Sequence, residues 1–278
     1  MLKAGEKRQE IQKKLDDLKS EVIRLAETFT KIPINSERLR LARQHFEAGN
    51  YAAARAILDA EQMGSELDAL LQQKEQLQRQ QAETEAHLID KANEFLILAR
   101  LTAIDFTLSD RFKQTIEYFE QSLKAAHTVE NTFGYAYFLQ QNNQFKAAFV
   151  WYEKALALER TLAEAHQEAY LRNVAATLNN LGTLQYNQHD FAAAAESYRE
   201  ALDIRRTLAE AHPEAYLPDV AATLNNLGAL QYNQHDFVAA AESYREALAI
   251  RRTLAEAHPE AYLPNVAVSA VNLSIFFI

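Results

Sequence analysis

One feature limits what this chain can fold into more than any other. Residues 171–216 and 217–262 align without a gap at a step of 46 and differ at only five positions. These are Arg172/Pro218, Asn173/Asp219, Thr183/Ala229, Ala192/Val238 and Asp203/Ala249. A chain of stacked near-identical units buries its apolar surface between neighbours, not around one centre. The frame continues in both directions. Phe145, Ala148, Tyr152, Ala155 and Leu156 stand one step before Phe191, Ala194, Tyr198, Ala201 and Leu202, and AEAHPEAYLPNVAV leads into a third, partial copy ending at Ile278. An older copy lies upstream at a shorter step: Ala103, Phe112, Thr115 and Phe119 precede Ala136, Phe145, Ala148 and Tyr152 by 33 residues each.

Inside a unit the apolar residues keep helical spacing. Leu178, Leu181 and Leu184 recur at i, i+3 and i+6, and Phe191, Tyr198 and Leu202 face them from a second helix. Small Gly182 and Ala194 fall where the two helices must approach closely. With 6 glycines and 5 prolines in 278 residues, and 48% apolar side chains, the chain reads as helical nearly throughout.

These residues and this spacing resemble the tetratricopeptide repeat (TPR) family, and within it the longer-period, kinesin-light-chain-like class, whose units also carry LNNL and a His-Pro after the second helix. The resemblance covers about 97–278. It implies an all-α, TPR-type α-solenoid, a right-handed superhelix of helix pairs, with units at about 97–129, 130–174, 175–220, 221–266 and a partial 267–278. The sequence departs from the family in two places. His189, in the turn NQHDF (187–191), stands where the family usually has glycine, a substitution that the tolerance of histidine for left-handed backbone makes cheap. The linker HPEAYLPDV (212–220) is longer than the family standard, and Pro213 and Pro218 are expected to stop one helix before the next begins.

The N-terminal third is different in kind. Ile11, Leu15, Leu18, Val22, Leu25, Phe29 and Ile32 form a heptad seam that Pro33 ends, giving an N-terminal heptad helix over 1–34. ERLRLARQHFEAGNYAAARAIL marks a divergent TPR-like helix pair within 35–61, with Gly49-Asn50 as its turn. A long, coiled-coil-like connecting helix follows over 62–96, its seam starting at Met63, Leu67, Leu70 and Leu77. The two seams can pair with each other as a hairpin, with a second copy, or with a different coiled-coil protein.

Adjacent asparagines open the apolar helix of each copy, although asparagine is a poor helix-interior residue. On a helical wheel Ala176, Asn180, Thr183 and Asn187 share one face, as do Ala222, Asn226, Ala229 and Asn233; Asn179 with Tyr186 and Asn225 with Tyr232 run alongside. By resemblance, the first helices line the concave groove, and Asn180 and Asn226 fall where family members clamp a peptide backbone. A side-chain amide offers donor and acceptor together, which suits that task, and a tyrosine adds flat apolar area. The candidate peptide-binding residues are therefore Asn179, Asn180, Thr183, Tyr186, Asn187, Asn225, Asn226, Tyr232 and Asn233. The same amides can instead bond the neighbouring repeat. Upstream the matching positions are Phe133 and Gly134, so a ligand would meet an apolar zone there.

Zero cysteines exclude thiol chemistry and cysteine zinc sites, and no phosphate loop, GxSxG elbow or HExxH is present. Of eight histidines, five recur with the repeat, namely His189/His235 and His166/His212/His258, too far apart to share one metal. No catalytic, metal or cofactor residue is assigned. A net charge of −9 without a basic stripe argues against nucleic acid, and no run reaches a membrane-spanning length. The expectation is a cytoplasmic, non-enzymatic adaptor for a protein or peptide partner. The alternatives are a sensor subunit of a multi-component bacterial signalling or defence system and a self-assembling structural protein. The C-terminal helix is expected to be open, with core positions Ala270, Leu273 and Phe276 lacking a covering second helix; that end or the N-terminal coiled coil would join copies into a homo-oligomer.

Overall fold

The computed structural model describes residues 2–165 and 167–275; His166 and Phe276 lie outside them. Among the described residues the chain is all helix: α1 (Leu2–Lys31), α2 (Glu37–Glu47), α3 (Tyr51–Ile57), α4 (Ala60–Ile104), α5 (Arg111–Ala125), α6 (Val129–Gln141), α7 (Phe145–Ala165), α8 (Gln167–Asn187), α9 (Phe191–Ala211), α10 (Pro213–Asn233), α11 (Phe237–Ala257) and α12 (Pro259–Ser274). Two compact units divide inside α4, between Glu83 and Thr84.

The first unit has a small core. Phe29 of α1 meets Phe46 of α2 with ring centroids 5.3 Å apart, and Phe46 meets Tyr51 of α3 at 5.5 Å. Ser36 caps α2 by accepting from the Leu39 amide, and Gly49 turns the chain into α3 at φ +76°, a conformation that favours glycine. Arg38 grips Glu66 of α4 with two hydrogen bonds at 2.8 and 2.9 Å. The heptad seams do not bury each other: Ile11, Leu18, Leu67 and Leu70 all stay more than half exposed.

The second unit is an α-solenoid in which first and second helices alternate. The end of α4 meets α5 through its core residues Leu96 and Ala99 and through the Ser122 hydroxyl, which donates to the Ala92 carbonyl at 2.6 Å; α6 pairs with α7, α8 with α9 and α10 with α11, and each second helix also packs on the first helix of the next pair. The expected inward residues are inside, with Leu178, Leu181, Leu184, Ala194, Tyr198 and Leu202 all buried. Asp190 and Asp236 cap α9 and α11 by accepting from the Ala193 and Ala239 amides. His189 and His235 before them hold φ at 63°, the left-handed turn that the histidine reading required.

The prolines correct the expected linker. Pro213 is the first residue of α10 and Pro218 lies within that helix, as Pro259 and Pro264 do in α12. A proline at the first helical position lacks only an amide hydrogen that has no partner anyway. Pro218 forfeits one bond, to the Glu214 carbonyl in the first turn, and the remaining turns hold the helix. Residues 213–220 therefore start the first helix, which reaches 21 residues. Ala270 and Leu273 of α12 are half-buried, while Val268 and Val271 are 53% and 65% exposed.

Candidate functional site

The first helices present one shared face, and it has two zones. At the N-terminal end of the second unit, α4, α5 and α6 enclose a cavity of about 500 Å³. Phe112, Phe119, Phe133, Tyr137 and Phe138 supply its walls, and Arg100 and Arg111 line it beside them. Gly134 opens the space by having no side chain: a Cβ there would meet the Arg100 guanidinium at 3.4 Å and the Phe119 ring at 3.5 Å. Phe138 stacks on Phe112 at 5.6 Å and tilts on Phe119 at 5.7 Å, so the walls brace one another. The Arg111 guanidinium lies 4.0 Å from the Phe106 ring centre, and its buried Nη1 has no hydrogen-bond partner.

Further along, the face turns polar, and the asparagines appear with partners. Asn226 donates to Asn179 Oδ1 at 3.1 Å, and Asn272 approaches Asn225 Oδ1 at 3.4 Å, each spanning 47 residues from one repeat to the next. Asn225 is buried and donates to the Ala221 carbonyl and to the Ser269 hydroxyl, both at 3.2 Å. Asn233 donates to the Tyr186 hydroxyl and, at 2.9 Å, to the Ala229 carbonyl. Asn180 bonds the Tyr152 hydroxyl of the preceding pair; that hydroxyl, raised in pKa by burial, donates to Gln140 at 2.7 Å. Thr183 donates to the Asn179 carbonyl at 3.0 Å and accepts from Tyr198 at 3.1 Å. Much of the amide chemistry therefore stitches repeat to repeat. Asn180, Asn226, Thr183 and Tyr186 remain half-buried at the face, and Asn187, Tyr232 and Asn233 are exposed.

A second polar column lies deeper, and reading the helix wheels did not find it. Residues 159, 205 and 251 are equivalent, as are 177, 223 and 269. Arg205 donates to the Thr223 hydroxyl and Arg251 to Ser269, whereas Glu159 accepts from Thr177 at 3.1 Å. Burial lowers the pKa of Arg205 and Arg251. Burial likewise pushes the Glu159 carboxyl up to about 7, with the Thr177 hydrogen bond opposing the shift and the nearby Glu130 charge adding to it. The signal was in the sequence, as a charge reversal within a repeat column.

Among the described residues no group of three or more His, Asp or Glu is placed to hold a metal, and no helix is long and apolar enough to cross a membrane. The family model for the tetratricopeptide repeat matches residues 174–214 and 220–260, and these two segments are tetratricopeptide repeats. No curated protein sequence matches the chain. Among solved structures, BtubC (BKLC) from P. vanneervenii is 20% identical, with 84% of this chain and 92% of that one covered at a TM-score of 0.49. The pilF protein of Pseudomonas aeruginosa is 15% identical, with 86% and 90% covered at 0.44. MamA from Desulfovibrio magneticus RS-1 is 16% identical, with 59% and 97% covered at 0.30.

Proposed function

We propose that this tetratricopeptide-repeat chain is a non-catalytic adaptor that holds an extended peptide segment along the concave face of its first helices. The observation that carries this reading is the continuity of the face. The aromatic cavity and the space bordered by Asn173 and Ala176 of α8 share Arg100 and Phe133 as lining residues, and the row of Asn180, Thr183 and Asn187 follows on α8. An apolar side chain of the ligand fills the cavity, where burial of an aromatic or aliphatic group contributes about 1.5–3 kcal/mol. The half-buried and exposed amides then meet the peptide backbone, with Tyr186 and Tyr232 as flat supports. In this reading Asn179 and Asn225 serve mainly to set the spacing of the repeats, and Asn180, Asn226 and Asn233 face the ligand.

The test is a selection from a randomised peptide display library, followed by photo-crosslinking from a benzophenone in the selected peptide. Crosslinks on α6, α8 and α10 support the reading. Crosslinks confined to α1 or to the second helices α7, α9 and α11 refute it.

A second reading, self-association, is favoured by the first unit. Ile11, Leu15, Leu18 and Leu25 of α1 keep a heptad spacing while 44–67% exposed. Sedimentation equilibrium decides: a concentration-dependent dimer that Leu18→Lys abolishes supports it, and a monomer at all concentrations removes it.

A further inference from the structure

The charge reversal at residue 159 marks a specific ligand chemistry. In two repeats the second helix supplies an arginine to a fixed seat on the following first helix. Arg205 Nη1 donates to the Asp219 carbonyl at 3.1 Å and to the Thr223 hydroxyl. Arg251 Nη1 donates to the Asn265 carbonyl at 3.0 Å and to the Ser269 hydroxyl at 2.7 Å. The seat therefore takes a guanidinium between a backbone carbonyl and a hydroxyl one helical turn further on.

Between α7 and α8 the seat is inverted. The column residue is Glu159, which is 0% exposed. Its Oε1 accepts from Thr177 and its Oε2 has no partner. The side chain lines a cavity of about 180 Å³ together with Arg100 of α4, Glu130 and Phe133 of α6, and Asn173 and Ala176 of α8. That volume is several times the roughly 30 Å³ share of one liquid water. A buried carboxylate oxygen without a donor is unfavourable; a proton relieves it at acidic pH, and above about pH 7 the remedy is a cation that carries its own N–H groups. The charged groups facing Glu159 are Glu130 from α6 and Arg100 from α4; with both carboxylates ionised the lining has a net negative charge. A planar guanidinium presents a donor fork that matches a carboxylate edge, which an ammonium does not.

We propose that this cavity receives the guanidinium of an arginine side chain from a bound peptide, with Glu159 as its buried carboxylate partner and Glu130 as the second carboxylate. The proposal rests on the peptide-groove reading only for the source of the arginine. Because this cavity and the aromatic one share Arg100 and Phe133, the arginine sits next to the apolar anchor. Arg100 is the competing cation within the protein.

The experiment titrates the full chain with N-acetyl-arginine amide and with its uncharged isostere, N-acetyl-citrulline amide, followed by NMR. The arginine probe is expected to saturate with a dissociation constant on the order of 1 mM, a scale that a single charged contact can reach. Citrulline should bind at least tenfold more weakly, and Glu159→Gln should weaken the arginine probe at least tenfold. Glu130→Gln, at an exposed position, is the second variant and should weaken it threefold or more. Arg100→Ala should tighten it by removing a like charge. Equal binding of citrulline, or an arginine constant unchanged by Glu159→Gln or Glu130→Gln, would overturn the proposal. So would binding seen only in Arg100→Ala, which would assign the seat to Arg100 itself. Neither probe needs an extended backbone, so these results stand whether or not a selected peptide lies along the groove.

Discussion

Replacing Gly182 by alanine separates helix propensity from repeat packing. In a helix interior, Gly→Ala alone stabilises by about 1 kcal/mol. At Gly182, however, the new Cβ would lie 2.7 Å from Tyr198 Cε1 and 2.8 Å from Cδ1. Tyr198 is 2% exposed and its hydroxyl donates to Thr183, so the ring has no free space to retreat into. Restoring ordinary contact requires a shift of roughly 0.7 Å between α8 and α9, and overpacking of this kind costs about 1–3 kcal/mol. Loss of the Tyr198 hydrogen bond adds about 1 kcal/mol. After the propensity gain, Gly182→Ala should be net destabilising by about 1–3 kcal/mol. Gly64→Ala, in α4 with nothing within 4 Å of its Cβ, should stabilise by up to about 1 kcal/mol. Urea denaturation followed by far-ultraviolet circular dichroism measures both. A Gly182→Ala protein as stable as the wild type would refute the close-packing argument, because propensity would then have outweighed the contact.

Further outcomes follow from the same contacts. Glu159 has its folded pKa raised from 4.5 to about 7, so the native state holds a proton that the unfolded chain releases. The stability this confers is fully present below about pH 4.5 and is lost as pH rises through about 7, by roughly 3 kcal/mol; thermal denaturation of Glu159→Gln should lose this slope and exceed the wild type at pH 8. Asn225→Ala removes a buried amide and leaves Ser269 and Asn272 short of a partner, so it should cost about 1–3 kcal/mol, more than exposed Asn187→Ala at well under 1 kcal/mol, in urea titrations. His189→Gly relieves a left-handed residue and should be neutral or stabilising by up to about 1 kcal/mol, whereas His189→Val should destabilise by about 1–2 kcal/mol; the melting temperatures report the difference.

The solenoid was legible because its information is periodic. A step of 46 with leucines at helical spacing leaves few ways to bury Leu178, Leu181 and Leu184 other than against the next helix. The left-handed turn at His189 was legible too, since its conformational demand is local. Pro218 misled, because a proline near a helix start loses a single bond and does not end the helix. The asparagine ladder was not legible as a ladder. Asn179 and Asn226 are 47 residues apart, one more than the repeat, so their contact depends on how far each first helix is offset from its neighbour. The Glu159 seat needed a comparison of columns across repeats, which a wheel drawn for one helix does not make.

The most direct test of the concave-face account is the dissociation constant of a library-selected peptide for the wild type and for a Phe112→Ala/Tyr137→Ala double variant. Both side chains line the aromatic cavity while 39% and 48% exposed, so their removal should leave the fold intact. The account predicts at least a tenfold loss of affinity with the helical content of the wild type retained. An affinity that is the same for both proteins would contradict it, placing the peptide on some other surface.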